Sequence, residues 1–190
     1  MTATALVHDA LAELFEYPRD GGAARVRRLA EMITAEVPEA GADLEPLVRF
    51  AAETDLGARE ESYVGTFDAN AERALEVGWQ GFGEQYARGA FLVALRGRMR
   101  DLGVAESSEL PDHLTHVLRL MGRMTPAEAG PLAENAVLPS LRRVRADLDE
   151  GNVYAGLVDA ALKVVAQHAG ADAVAAVPPA ATRTETPRER

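Results

Sequence analysis

Asp112, His113 and His116 fall within one turn of an expected helix. Two imidazoles at i, i+3 can offer neighbouring ligands to a divalent cation, with the carboxylate beside them. On that basis the chain would be a helical metal-dependent hydrolase. Such a site needs ligands from a second helix, and none announces itself, since the other histidines are His8 and His168. The plainer expectation is one exposed histidine and one hydrogen-bonded histidine at a helix start. There is no cysteine, which excludes disulfide frameworks, thiolate metal sites and cysteine nucleophiles. No Gly-x-Ser-x-Gly elbow and no P-loop occur, and Gly81-Phe82-Gly83 follows no strand, so it is not a phosphate loop. The sequence points away from an enzyme and toward a protein that holds another protein, with no metal and no cofactor.

Other residues suggest binding. Tyr63 and Phe67 are four apart, on one face of an expected helix, and Asp68 follows them. Taken singly, each aromatic is a core residue and Asp68 a turn or cap residue. The net charge of −10 argues against nucleic-acid binding, which needs clustered Lys and Arg. The acidity is concentrated in residues 1–76, with 16 acidic and 7 basic side chains. A surface of that sign attracts a basic partner.

The elements that must position these residues all read as helices. Leu6, Val7, Ala10, Leu11, Leu14 and Phe15 mark a first amphipathic helix, closed by Tyr17-Pro18. A second runs from Gly22 to Val37, a third from near Asp43 with Pro46 in its first turn, and a fourth from Ala58 to Phe67. The stretch from Asp68 to Gly83 reads as a break, with Trp79 and Phe82 folded back onto the core. A long helix from Glu84 to Leu102 follows, its apolar face made of Ala87, Ala90, Phe91, Ala94, Leu95, Met99 and Leu102, with Gly103 as C-cap. Glu109-Leu110-Pro111-Asp112 leads into a helix bearing Leu114, Val117, Leu118 and Met121. Thr125-Pro126-Ala127-Glu128 is a capping box, and Pro139 predicts a break or new start within the next helical pattern. A last helix spans Val153 to His168 and stops at Gly170. The expected fold is an all-α, single-domain bundle of about eight helices over residues 1–173, with a disordered tail over 174–190. The N-terminus carries acids and no basic region, unlike a secretory signal, and no apolar run is long enough to span a membrane, so the expected location is cytoplasmic.

Four segments together resemble a known family. Glu61-Ser62-Tyr63-Val64-Gly65-Thr66-Phe67-Asp68 is similar to the Tyr-x-x-x-Phe-Asp signature of the NarJ branch of the TorD/DmsD/NarJ redox-enzyme maturation chaperones. Ser108-Glu109-Leu110-Pro111-Asp112-His113-Leu114 resembles that family's second motif, Glu-Leu-Pro-Asp-His-Leu. Gly83-Glu84-Gln85-Tyr86-Ala87-Arg88-Gly89 resembles the lead-in to its central helix, and Leu11 to Pro18 the end of its first helix. The similarity spans about residues 5 to 165. After Asp68 the chain departs from the more apolar run of the nitrate-reductase chaperones, which leaves chaperones of related molybdoenzymes open.

The resemblance implies an all-α cytoplasmic chaperone, monomeric or dimeric, with no turnover of its own. Its partner would be the apo catalytic subunit of a molybdenum–bis-pterin oxidoreductase, gripped by an N-terminal segment or a twin-arginine-type signal, together with molybdenum-cofactor biosynthesis proteins. Cofactor insertion would precede export or membrane docking. On this reading Tyr63, Phe67 and Leu114 line a client groove, and Asp68, Glu109 and Asp112 meet basic client side chains. Pro111 and His113 belong to the same client-binding set, with His113 either a structural tie or a pH-sensitive contact. The competing reading is an adaptor that binds a mature partner.

Overall fold

The computed structural model describes residues 2–19 and 21–169; the expected tail, 174–190, and the expected stop at Gly170 lie outside the described residues. Two helices form the centre of the bundle. In α7 (Leu114–Met121) every residue except Arg119 is buried. In α10 (Ala155–Ala166) Leu157, Val158, Ala160, Ala161, Val164 and Val165 have no measurable exposure. Each keeps only a narrow polar strip, Thr115, His116 and Arg119 in α7 and Asp159 and Lys163 in α10, and the wide apolar remainder suits a helix largely surrounded by others.

The remaining helices enclose this pair. α1 (Ala3–Leu14) begins where the Thr2 hydroxyl accepts from the Ala5 amide, and it buries Val7, Leu11 and Leu14 against α2 (Gly22–Glu36) and α7. α3 (Gly41–Glu53) packs between α2 and α10. α4 (Leu56–Tyr63) runs directly into a π-helical turn, Val64–Asp68. α8 (Pro126–Leu132) has the expected capping box, with Glu128 accepting from the Thr125 amide. A second π turn, Ala133–Val137, carries the chain into α9 (Leu138–Asp147) with Pro139 in its first turn. The helix therefore re-registers ahead of Pro139 instead of stopping, because the widened turn tolerates a residue that cannot donate. No helix among the described residues is long and apolar enough to cross a membrane.

Two expectations change. The segment expected as a break contains a short helix, α5 (Val77–Phe82), ended by Gly83 at φ +59°. Gly78 serves close approach here: a Cβ on it would lie 2.5 Å from the Asp112 carboxylate. The long helix, α6 (Tyr86–Asp101), buries only Leu95 and Met99, with Phe91 and Leu102 half-buried; Ala87, Ala90 and Ala94 face outward. Alanine fits the periodic pattern of an apolar face, but its small side chain gives weak pressure for burial. Among the described residues there is no β-strand, only a single antiparallel bridge between Glu76 and His113.

Candidate functional site

That bridge joins the chain that follows the first resemblance motif to the second motif. The Val77 amide donates to Asp112 O at 2.8 Å, and the Leu114 amide donates to Leu75 O at 2.8 Å. The chain leaving the π turn is thereby laid against the loop that starts α7. Forty residues of sequence separation close into one cleft of about 490 Å³. One side comprises Tyr63, Phe67 and Asp68 from α4 and its π turn, continuing through Leu75 and Glu76. The opposite side is Ser107, Ser108, Glu109 and His113, with Arg119 of α7. Glu16, Tyr17 and Arg19, after α1, line one end.

The floor is aromatic. Tyr63 and Phe67 are nearly buried and stand edge to face with ring centroids 5.2 Å apart; Phe15 and Tyr154 complete the cluster at 6.2 and 5.0 Å from Phe67. The Tyr63 hydroxyl donates to Phe15 O at 3.0 Å, tying α4 to the end of α1. Burial first, then the charges of Asp68 and Glu109, hold the Tyr63 phenol well above its ordinary range. The π turn closes with the Ala69 amide donating to Val64 O at 2.9 Å. It turns the Asp68 side chain to the rim, where partial burial raises its carboxyl. Tyr63 and Phe67 are thus as much core as wall.

The rim is acidic. Glu16 is paired with Arg119. Asp68, Glu76 and Glu109 have no salt-bridge partner among the described residues. With Arg19 and Arg119 also on the lining, four carboxylates face two guanidinium groups, and the net negative charge of the cleft attracts a cation.

Five of the eight residues expected at the site line the cleft: Tyr63, Phe67, Asp68, Glu109 and His113. Asp112 does not. Its side chain has no exposure and accepts from Arg88 Nε at 2.9 Å and Nη2 at 3.4 Å. The expectation that its carboxylate meets a client is corrected: Arg88 in the first turn of α6 already occupies it, and the Arg88 guanidinium lies 5.8 Å from the Trp79 ring centroid. Pro111 and Leu114 are buried too, Leu114 within the core rather than in a groove wall. Glu16, Tyr17 and Glu76 were not singled out by sequence reasoning. Glu16 and Tyr17 lay within a recognised segment, but Glu76 had no local signal.

His113 is the N-cap of α7, its Nδ1 accepting from the Thr115 hydroxyl at 2.8 Å. Burial lowers its pKa, so the ring is neutral and Nε2 carries the proton. This geometry makes it a structural tie. His116 is fully engaged elsewhere: Nδ1 donates to Leu110 O at 2.9 Å, and Nε2 accepts from the Ser107 amide at 3.1 Å. The two imidazoles hold the motif loop from different sides. Among the described residues no cluster of three or more potential metal ligands forms. No protein-family model matches the chain, and no curated protein shows significant similarity to it.

Proposed function

We propose that this protein is a chaperone of the TorD/DmsD/NarJ type. It binds a basic N-terminal segment of the apo catalytic subunit of a molybdenum–bis-pterin oxidoreductase in the cytoplasm, before cofactor insertion and assembly. The observation that carries this reading is the cleft itself: Asp68, Glu76 and Glu109, free of cationic partners among the described residues, ring a floor of Tyr63 and Phe67. An amphipathic peptide with an arginine or arginine pair beside an apolar stretch fits both features, the guanidinium on the carboxylates and the apolar residues on the rings. The resemblance of residues 61–68 and 108–114 supplies the class of client. A binding protein of this kind needs no turnover, metal or cofactor.

The test is fluorescence anisotropy with a labelled peptide of about twenty residues containing consecutive arginines followed by an apolar run, the length of a signal-type segment. Binding should weaken steeply as salt rises from 50 to 500 mM, since exposed charge pairs are screened. It should fall when the arginines become glutamine. Equal binding of the glutamine peptide would remove the reading. Co-purification with folded holoenzyme in preference to the apo subunit would favour the adaptor reading instead.

A further inference from the structure

The face of α6 turned away from the core is apolar and uncovered. α6 is 16 residues long and packs chiefly on α5 and α7. Its inner side carries Leu95 and Met99, with Phe91 half-buried. On the outer side Tyr86 is 95% exposed and Val93 70%, the two most exposed large apolar side chains among the described residues. They are seven residues apart, close to two helical turns, and so stand on one line. Gly89 and Gly97 flank Val93 on the same side. Glycine inside a helix is destabilising relative to alanine, and its usual compensation is the close approach of another group to the backbone. Nothing in this chain comes close: a Cβ on either glycine would meet no atom within 4 Å beyond its own helix.

The pattern is symmetric about Val93. Four residues to either side are Gly89 and Gly97, and seven to either side are Tyr86 and Arg100. A helix laid antiparallel on its own copy, with the two-fold axis at Val93, sets each of these against its counterpart. Val93 meets Val93 of the other copy, Gly89 meets Gly97, and Tyr86 meets Arg100. The charges agree with this pairing. Arg100 and Glu84, just before the helix, are both exposed, and neither has a salt-bridge partner among the described residues. Antiparallel pairing brings the Arg100 guanidinium to the Tyr86 ring of the other copy, with that copy's Glu84 carboxylate in reach. Parallel pairing would instead set Arg100 on Arg100 and Glu84 on Glu84. An unrelated partner would impose no symmetry about Val93.

We infer that the outer face of α6 is a self-association surface, on which a second copy of this chain docks its own α6 antiparallel about Val93. The two glycines let the helix backbones approach, and Tyr86 and Val93 of both copies leave solvent. A contact line of 16 residues is about 24 Å long. That places the interface at the small end of specific ones, so the dimer forms and dissociates with concentration. No residue of α6 lines the peptide cleft, so the pairing does not draw on the residues that would hold a client.

The experiment is sedimentation velocity of the full chain from about 5 to about 500 μM, joined to cross-linking of single-cysteine variants. The chain has no cysteine, so each introduced thiol reports one position. Wild type should pass from monomer to dimer across this range. Val93→Glu should stay monomeric throughout, because two carboxylates would meet on the axis. It should melt like wild type, because the side chain is exposed. Gly89→Ala should raise the melting temperature yet weaken association about tenfold, opposite effects that a glycine serving only its own chain would not give. Val93→Cys should cross-link to a covalent dimer with a short bismaleimide, and Tyr86→Cys should not, since an antiparallel pair holds the two 86 positions about 21 Å apart. If Val93→Glu does not fold, the cross-linking pair still decides the matter. A wild type that is monomeric at every concentration would overturn the inference, including one whose Val93 is shielded only when a client subunit is added. So would a Val93→Glu variant that dimerises like wild type, or equal cross-linking at 86 and 93, the mark of a parallel pair. None of these outcomes touches the peptide-binding proposal, whose probe and variants differ.

Discussion

Asp112 and Arg88 form an ion pair in which the carboxylate has no solvent exposure and accepts at 2.9 and 3.4 Å, while the same Asp112 backbone carbonyl accepts from Val77 at 2.8 Å. The residue therefore fastens α5, α6 and the motif loop at one point. Asp112→Ala should destabilise the fold by about 3 kcal/mol or more, because the change leaves a partly buried guanidinium unpaired. Gly78→Ala should disturb the same junction, since its Cβ would press on this carboxylate at 2.5 Å. Urea unfolding checks both, and an Asp112→Ala midpoint equal to wild type would refute the latch.

Asp68 and Glu109 should behave in the opposite way. Both are exposed and lack ion-pair partners among the described residues. Asp68→Asn and Glu109→Gln should leave stability within about 0.5 kcal/mol of wild type, the usual range for surface changes. Each should weaken an arginine-containing peptide and flatten the salt dependence of its binding. A double variant that binds like wild type would place the peptide elsewhere.

Phe67 joins the two effects. It is 3% exposed, packed on Phe15 and Tyr154, and forms part of the cleft floor. Phe67→Ala should cost about 3–5 kcal/mol of stability through lost burial and cavity formation, and weaken peptide binding in the fraction that folds. Tyr63→Phe should cost about 1 kcal/mol, through loss of the hydrogen bond to Phe15 O. Chemical denaturation of both variants, with binding measured in the absence of denaturant, separates these contributions.

Acid should destabilise the protein before its carboxylates titrate. His8 is buried, its Nδ1 donates to Thr4 O at 2.9 Å, and its Nε2 lies 3.0 Å from Nε2 of His168. Burial first, opposed by the hydrogen bond to Thr4 O and the charge of Asp9 and reinforced by His168 and Arg123, brings the His8 pKa down to about 4. Burial also lowers His113 and His168. An unfolded histidine titrates near 6.5, so between 6.5 and about 4 the unfolded chain binds more protons than the folded one. The stabilisation from neutral His8 is complete above pH 6.5 and is lost as pH falls through this window, by about 3 kcal/mol at its full extent. Unfolding free energies at pH 7, 6, 5 and 4.5 should decline for wild type and decline less for His8→Gln. A flat profile over this interval would rule out the buried neutral pair as its origin.

Helical character, the capped start at Thr125, the close of the first helix before Pro18 and the apolar face of α7 were all legible in the sequence. Each depends on neighbours within a few residues, through backbone propensity, side-chain capping or the helical period. The motif residues were legible as well, since spacing alone put Tyr63 with Phe67 and Glu109 near His113. What the carboxylates do was not. Asp68 and Asp112 look alike in sequence, each a lone acid beside an apolar helix face. One ends on the rim of a cleft and the other in the core, because a π turn swings Asp68 outward while Arg88, 24 residues earlier than Asp112, reaches its partner. The same holds for α6, whose alanines match the helical period yet face solvent. Burial and charge pairing depend on which elements pack together, and local sequence contains no record of that choice.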